Sequence, residues 1–410
     1  MRRRLRILNH HIFYAPEPVG VAAYAAQMCA WLARQGHEVR VVCPPPYYPF
    51  WRVQQPYKAW RYQTEILDGV HVTRCPIWIP AQPRGLARVL YAASFALSSL
   101  PALAGEIFRR PDVVFVTEPS FLNAIASLAA ARCCGALAWM HVQDFELDIA
   151  LGPGRFRSRW PRRLARLLES SVMRRFDVVS TISSRMMERL GQKGVPEGRR
   201  VFFPNWVDTA GIFPMEGPSP LRRELGFPAD AVVALYSGSM GAKQGITQLI
   251  DAARLLSGHP RVRIVICGDG AGLASSQALA ADLPNVSFLP LQPEQRLNAL
   301  LNLADLHVLP QKPSFADLVM PSKMLGMLAS GRPVVATANA GTELASIVSE
   351  CGVVVPPENP GALAAAIASL AEDPSRRAAL GAQARAFVSE HFRRDAVLGE
   401  FESKLCSAAA

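Results

Sequence analysis

VLPQKPSFADLVMPSKMLGMLASGRPVVAT, residues 308–337, decides how this chain is read. It runs from a short apolar strand through a proline-rich loop to Pro321-Ser322-Lys323 at the mouth of a helix. Gly331, for which the left-handed region is cheap, stops that helix, and Pro333 to Thr337 begins another buried strand. A strand, a loop with Ser and Lys, and a helix N-terminus form a good place for a phosphate. Backbone N–H groups and the helix dipole face the anion, and Lys323 adds a full charge. Pro321, Ser322, Lys323 and the adjoining Leu325 are therefore candidate ligand-binding residues.

The pattern around this stretch repeats along the whole chain. In the first half, strands are expected at Leu5 to Asn9, His37 to Cys43, His71 to Cys75, Asp112 to Thr117, Ala136 to Val142 and Asp177 to Ile182. Between the first two, Val21, Tyr24, Ala25, Met28, Cys29 and Leu32 fall at helical spacing and Gly36 closes the helix. After Pro204 the alternation restarts, with helices expected near Thr247 to Leu256, Glu294 to Leu303, Ser322 to Ala329, Thr342 to Ser349 and Ala362 to Ala371. Strands separated by helices predict parallel sheets covered on both faces, so the fold class is α/β. Two doubly wound domains bind ligand at the carboxyl ends of their strands. A long polar helix is expected from Pro374 onward.

Bulk properties fit two globular domains. The 410 residues are 50% hydrophobic and 19% charged, with a formal charge of +11 that suits an anionic partner. None of the eight cysteines has CxxC spacing, which points to buried free thiols and away from a metal or disulfide framework. Arg2 to Arg4 lead straight into a strand without an apolar signal region, so a cytoplasmic protein is expected.

A second candidate loop, SGSMGAKQGITQLIDAA (Ser237 to Ala253), follows a strand and opens a helix. Gly238, Gly241 and Gly245 allow close backbone approach, beside Ser239 and Lys243. Gly268-Asp269-Gly270 after the next strand is a further, weaker signal, because GDG is also a generic strand-to-helix turn. In the first half, Gly20 in PEPVGV sits between strand one and its helix. GxGxxG is absent there, which argues against a dinucleotide dehydrogenase. His10 and His11 read as ordinary loop residues at the strand end. ALAWMHVQDFELD places His141 and Gln143 on one face of a strand that ends at Asp144.

Together these blocks closely resemble glycosyltransferase family 4, the retaining nucleotide-sugar transferases of GT-B architecture. The resemblance implies two Rossmann-like doubly wound domains facing a central cleft. Residues 1–205 would bind the acceptor and 206–385 the nucleotide sugar, while 386–410 would be a helix crossing back to the first domain. It implies that Lys243 contacts the donor diphosphate, together with the Pro321-Ser322-Lys323 site, and that Gly268, Asp269 and Gly270 lie near the base. His141, Gln143 and Asp144 would stand near the transferred sugar, with Gln143 where many relatives have His; FFPNWVDT resembles the linker turn, fixed by Asn205 and Asp208. Most members carry two glutamates in the later block; this chain has Leu318 and Gly326 there, leaving the ribose partner unassigned and Asp317 a nearby candidate. Retaining transfer in the family needs no protein nucleophile, because the leaving diphosphate takes the acceptor proton. With no Asp-x-Asp motif, neither a metal nor another cofactor is expected.

Two segments bear on location. Gly154 to Phe176, GRFRSRWPRRLARLLESSVMRRF, is arginine-rich with Phe156, Trp160, Leu164, Leu167 and Leu168 interleaved, as in helices that meet anionic lipid. Val89 to Gly105 carries no charge but is short and lies between strands of one sheet, so a buried or partly membrane-dipping helix is expected. These predict a peripheral enzyme on the inner face of the cytoplasmic membrane. PYYPFWRVQQPYKAWRY, CPIWIPAQP, HVQDFELD and PSKMLGMLASG are most similar to colanic acid-type fucosyltransferases of bacterial exopolysaccharide synthesis. That similarity implies GDP-fucose as donor and a lipid-linked (undecaprenyl-diphosphate type) oligosaccharide acceptor; an NDP-hexosamine donor is the near alternative. A non-catalytic sugar-binding GT-B scaffold stays open, whereas nucleic-acid binding lacks a recognition module.

Overall fold

The computed structural model describes residues 3–17, 20–81, 85–118, 120–145, 159–241, 244–312 and 322–410, with 159, 161 and 162 described by backbone alone. The chain divides into two compact units, Met1–Pro204 with Leu398–Ala410, and Asn205–Val397.

The first unit is built on β1 (Arg6–His10), β2 (Glu38–Cys43), β3 (Gln63–Leu67), β4 (Val70–Arg74), β5 (Val113–Glu118), β6 (Leu137–Val142), β7 (Val178–Thr181) and β8 (Arg200–Phe202). They form one eight-stranded sheet in the order β3-β4-β2-β1-β5-β6-β7-β8. β1 lies at its centre, Ile7 opposite Val39 on one side and Val113 on the other. The expected wholly parallel sheet is corrected at one edge, where β3 runs antiparallel to β4. Asp68 (φ 49°) and Gly69 (φ 80°) make the two-residue turn of that hairpin, the conformation that Asp-Gly adopts most readily. His10 and His11 are also corrected: His10 ends β1, and both are buried instead of lying in a solvated loop.

In the second unit, β9 (Val232–Ser237), β10 (Val262–Cys267), β11 (Val286–Leu289), β12 (Leu306–Pro310), β13 (Val334–Thr337) and β14 (Gly352–Val355) pair in the order β11-β10-β9-β12-β13-β14. Every pairing in it is parallel. Val232, Ala234, Tyr236 and Ile264 pack with Leu249, Ile250, Ile367 and Leu370 in one core. Val334 and Ala336 pack with Met324, Met327, Leu328 and Val348 in another, so both faces are covered. The helix expected over Glu294 to Leu303 is a 3₁₀ turn, Glu294–Arg296, followed by the short helix Leu297–Leu301.

The polar helix expected from Pro374 onward is two helices, Pro374–His391 and Arg394–Ala408. Between them Val207 N–H donates to Phe392 O and Arg394 N–H to Val207 O, so the backbone groups at the break are paired outside the helix. The last helix joins the first unit at Leu398. Phe401 stacks on Phe203 at 4.0 Å and meets the edges of Trp139 and Phe115. Glu402 is paired with buried His37 at 3.2 Å.

All eight cysteines are free thiols, five of them buried. Among the described residues, His37, Glu402 and Cys406 form one group close enough to hold a metal. His37 Nδ1 already accepts from Leu5 N–H and its Nε2 bonds Glu402, so the group reads as a staple for the last helix.

Candidate active site

In the second unit the chain runs from β9 outward to β10 and β11, then returns to β12 and runs the other way. β9 and β12 therefore flank the topological switch point, where a doubly wound sheet opens a crevice at its strand carboxyl ends. Gly238 follows β9 and Lys323 follows β12. They meet: a Cβ on Gly238 would stand 3.0 Å from Lys323 Cδ and 3.2 Å from Nζ. The Lys323 ammonium lies 4.0 Å from the centre of the Tyr236 ring, and Tyr236 Oη donates to Ser239 O at 2.6 Å. Among the described residues Nζ is buried without a hydrogen-bond partner. Burial lowers its pKa from 10.5 to about 7. A buried cation facing no counter-charge is costly unless an anion completes it, and a diphosphate would do so.

Ser322 precedes the helix Lys323–Ala329 in an α conformation and makes no side-chain cap. That helix has seven residues, so the positive charge at the site comes mainly from Lys323 and less from a dipole than expected. Leu325 is 4% exposed and packs in the core beside Met324 and Leu328. Gly326, where a family glutamate is missing, packs toward Leu301 and Ile212, and a Cβ would already sit 3.4 Å from Leu301.

Gly268, Asp269 and Gly270 zip their loop onto the Gly238 loop. Gly238 N–H donates to Cys267 O at 2.9 Å, Met240 N–H to Asp269 O at 2.8 Å, and Gly272 N–H to Met240 O at 2.8 Å. Gly268 (φ 153°) would place a Cβ 1.9 Å from Gly238 O, and Gly270 (φ 147°) one 2.7 Å from Met240 O. Only glycine fits at either position. The Asp269 carboxylate turns back to Gly270 N–H at 2.7 Å. Lys243, Asp317, Leu318 and Pro321 lie outside the described residues.

In the first unit, His141, one residue before the end of β6, lies inside a hydrogen-bonded chain. Its Nδ1 pairs with Ser180 Oγ at 2.9 Å, its Nε2 meets the Gln143 amide nitrogen at 2.9 Å, and Trp139 Nε1–H donates to Ser180 Oγ at 2.8 Å. With Gln143 donating to Nε2, the ring proton sits on Nδ1. Phe203 packs on the ring at 4.9 Å, and burial pushes the His141 pKa down to about 3, so the imidazole is neutral. His10 and His11 are pushed down to about 3 for the same main reason; His10 pairs with Ser127 Oγ and His11 with Thr117 Oγ1, both at 2.9 Å. Gly20 caps Val21–Arg34 at φ 57° with open space around it. Asp208 accepts from Ala210 N–H and pairs with Arg394, which fixes its turn.

Sequence reasoning missed Glu17 and Tyr236. Glu17 Oε1 accepts from Tyr47 and Tyr48 N–H, both at 2.8 Å, while Oε2 is buried without a partner among the described residues. Burial raises its pKa to about 7, and Tyr48 feels the charges of Glu17, Arg88 and Asp144. The only sequence signal was an acid between two prolines next to Gly20. Tyr236 gave none, since it reads as one more apolar strand residue.

Residues 19–206 match the Glycosyl transferase 4-like domain, and 219–387 match Glycosyl transferases group 1. The chain is 39% identical over 373 residues to a colanic acid biosynthesis glycosyl transferase, WcaI, of Escherichia coli, spanning 88% of this chain and 91% of the relative. It is 31% identical over 415 residues to a D-inositol 3-phosphate glycosyltransferase of Kineococcus radiotolerans, covering 93% of this chain and 90% of that one. In fold it is similar to sucrose-phosphate synthase from Thermosynechococcus elongatus (TM-score 0.78, 18% identity, 98% and 100% coverage). HepE of Anabaena, solved in complex with UDP-glucose, is similar at TM-score 0.70 and 16% identity, with 98% and 100% coverage. With both units matched in order and a whole-length relative at this identity, the chain belongs to the family 4-like, group 1 glycosyltransferases of GT-B fold, enzymes that transfer a sugar from a nucleotide-sugar donor, and it is related to the transferase of colanic acid biosynthesis.

Proposed function

We propose that this enzyme moves fucose from GDP-fucose, with retention, onto a lipid-linked (undecaprenyl-diphosphate type) oligosaccharide in exopolysaccharide assembly. The observation that carries the donor site is the buried Lys323 ammonium, without a hydrogen-bond partner among the described residues, against Gly238 at the switch point. The choice of sugar rests on the quoted sequence blocks and on the colanic acid relative. The anomeric C–O bond to the diphosphate breaks as the acceptor oxygen adds on the same face, and the acceptor proton passes to the leaving phosphate. Lys323 and Lys243 stabilise the charge that grows there, so no metal is required. Gln143 and Asp144 contact the sugar hydroxyls, His141 orients Gln143 by accepting from its amide, and the Asn205–Asp208 turn stays structural. The arginine-rich segment holds the protein to anionic lipid on the inner face of the cytoplasmic membrane.

The test is a panel of nucleotide sugars scored by the rise in melting temperature and by transfer to a polyprenyl-diphosphate oligosaccharide. GDP-fucose should give both. Transfer from an NDP-hexosamine alone would replace the sugar, and ligand binding without turnover by any donor would make the protein a non-catalytic sugar-binding scaffold.

A further inference from the structure

The helix Leu86–Ile107 connects β4 to β5 and is amphipathic in an unusual sense, with both faces apolar. Tyr91, Phe95, Ser99 and Leu103 turn inward at four-residue spacing and are buried. Leu86, Val89, Leu90, Leu97 and Leu100 on the other side are 47–72% exposed, and no charge occurs from Val89 to Gly105. The steps β4 to β5, β5 to β6 and β6 to β7 all run in one direction across the sheet. Right-handed crossovers therefore put Leu86–Ile107, Phe121–Cys134 and Arg159–Met173 on the same face, where each touches the next. Ile125 continues the exposed apolar surface on the second helix, and Trp160, Leu164, Leu167 and Leu168 continue it on the third.

Among the described residues, the exposed charges on these three helices have one sign. Their two acids are buried and paired, Glu106 with Arg40 at 2.7 Å and Glu169 with Lys193. Arg88, Arg163 and Arg166 are exposed among the apolar side chains. On the far side of the first helix, Tyr62 Oη donates to Ser98 O and Trp78 N–H to Ser94 Oγ, so two partly exposed aromatics border the leucines. Apolar surface, bordering Tyr and Trp, and cations without exposed acids are what an anionic lipid interface takes up. A second copy of this face would set arginine against arginine, which a two-fold contact between copies disfavours.

We propose that this three-helix face is where the protein sits in an anionic phospholipid bilayer. Leu86–Ile107 lies in the membrane plane, with its outer leucines at the acyl boundary. It does not span, because its inner stripe is committed to the core and both flanking strands belong to one sheet. The inference rests on the proposed lipid-linked acceptor and names the element that brings the enzyme to it.

The experiment compares the full chain, Leu90→Gln/Leu97→Gln/Leu100→Gln, and Arg163→Gln/Arg166→Gln in co-sedimentation with vesicles. The vesicles are phosphatidylglycerol with phosphatidylcholine, or phosphatidylcholine alone, at low and high salt. The leucine variant should lose at least about a hundredfold in partitioning at both salts, since apolar burial is not screened. The arginine variant should lose about thirtyfold on anionic vesicles at low salt and little at high salt. Wild-type partitioning by the leucine variant would overturn the proposal. So would a lipid-free wild-type dimer that the leucine substitutions convert to a monomer, since a second copy would then own the face. Transfer to a soluble acceptor should be equal in all three proteins. Its absence in all three, with the vesicle results as expected, would sink the catalytic reading and leave this one standing.

Discussion

At Lys323 a single proton would link the fold to the proposed donor. In the free protein its pKa lies near 7, against 10.5 for an ordinary lysine. The unfolded chain therefore binds the extra proton between these values, and the stability of the unliganded protein rises with pH across that window. A diphosphate needs the ammonium, so binding above pH 7 must take up a proton. Affinity for a nucleoside diphosphate is expected to fall about tenfold per pH unit above 7, and to be flat below it. Lys323→Met should bind weakly with no such slope, which calorimetric titration across pH would read. Four buried histidines, His10, His11, His141 and His307, act with the same sign at acid pH. Each is neutral when folded and protonated when unfolded between about 3 and 6.5, so stability should fall by about 1.4 kcal/mol per pH unit for each as pH drops through that range. Urea unfolding of wild type and His10→Gln at pH 5 and 7 checks it: the variant should lose less on acidification. Lys323 drew notice in the sequence because Ser and Lys between a strand and a helix suit an anion. Its bed on Tyr236 was not legible, since nothing in a local pattern says which aromatic of a neighbouring strand will lie under it. His10 and His11 were misread because a strand's last residues look like loop until the layer above them is known.

At the scale of elements, the loops of the proposed donor site are held by backbone zipped to backbone, and that fixes what substitutions do. Gly268→Ala forces a Cβ to 1.9 Å from Gly238 O at a φ of 153°. It should cost about 3 kcal/mol or more in urea unfolding and remove donor binding, whereas Gly217→Ala, with open space around it, should cost little. The glycines of the GDG turn are explained by loop-to-loop packing, and its place near the base belongs to the proposed donor site. Most strands were legible because parallel strands buried on both faces are continuous apolar runs. The edge hairpin was not, because β3 alternates weakly and is half exposed, although Asp68-Gly69 carried the turn. The break after His391 was invisible for a different reason: its backbone partners come from Val207, far away in sequence.

At the scale of the molecule, two doubly wound units in one chain carried the family reading, and the repeated strand–helix alternation made that the most legible property of all. Sugar and acceptor were less legible, because they depend on a few side chains and on loops rather than on the periodicity that builds sheets. If the proposed chemistry holds, EDTA should leave transfer unchanged, since the lysines supply the charge; restoration by Mg²⁺ or Mn²⁺ after a loss would require a metal in the mechanism. The central claim is that the Lys323 ammonium anchors and stabilises the leaving diphosphate. Its most direct test is the turnover of GDP-fucose by wild type and Lys323→Ala, with the melting temperature of each recorded alongside. The account predicts a loss of about a hundredfold, near 3 kcal/mol of transition-state stabilisation, with the fold intact or firmer because a buried unpaired cation has gone. Near-normal turnover in the variant, at an unchanged melting temperature, would contradict it.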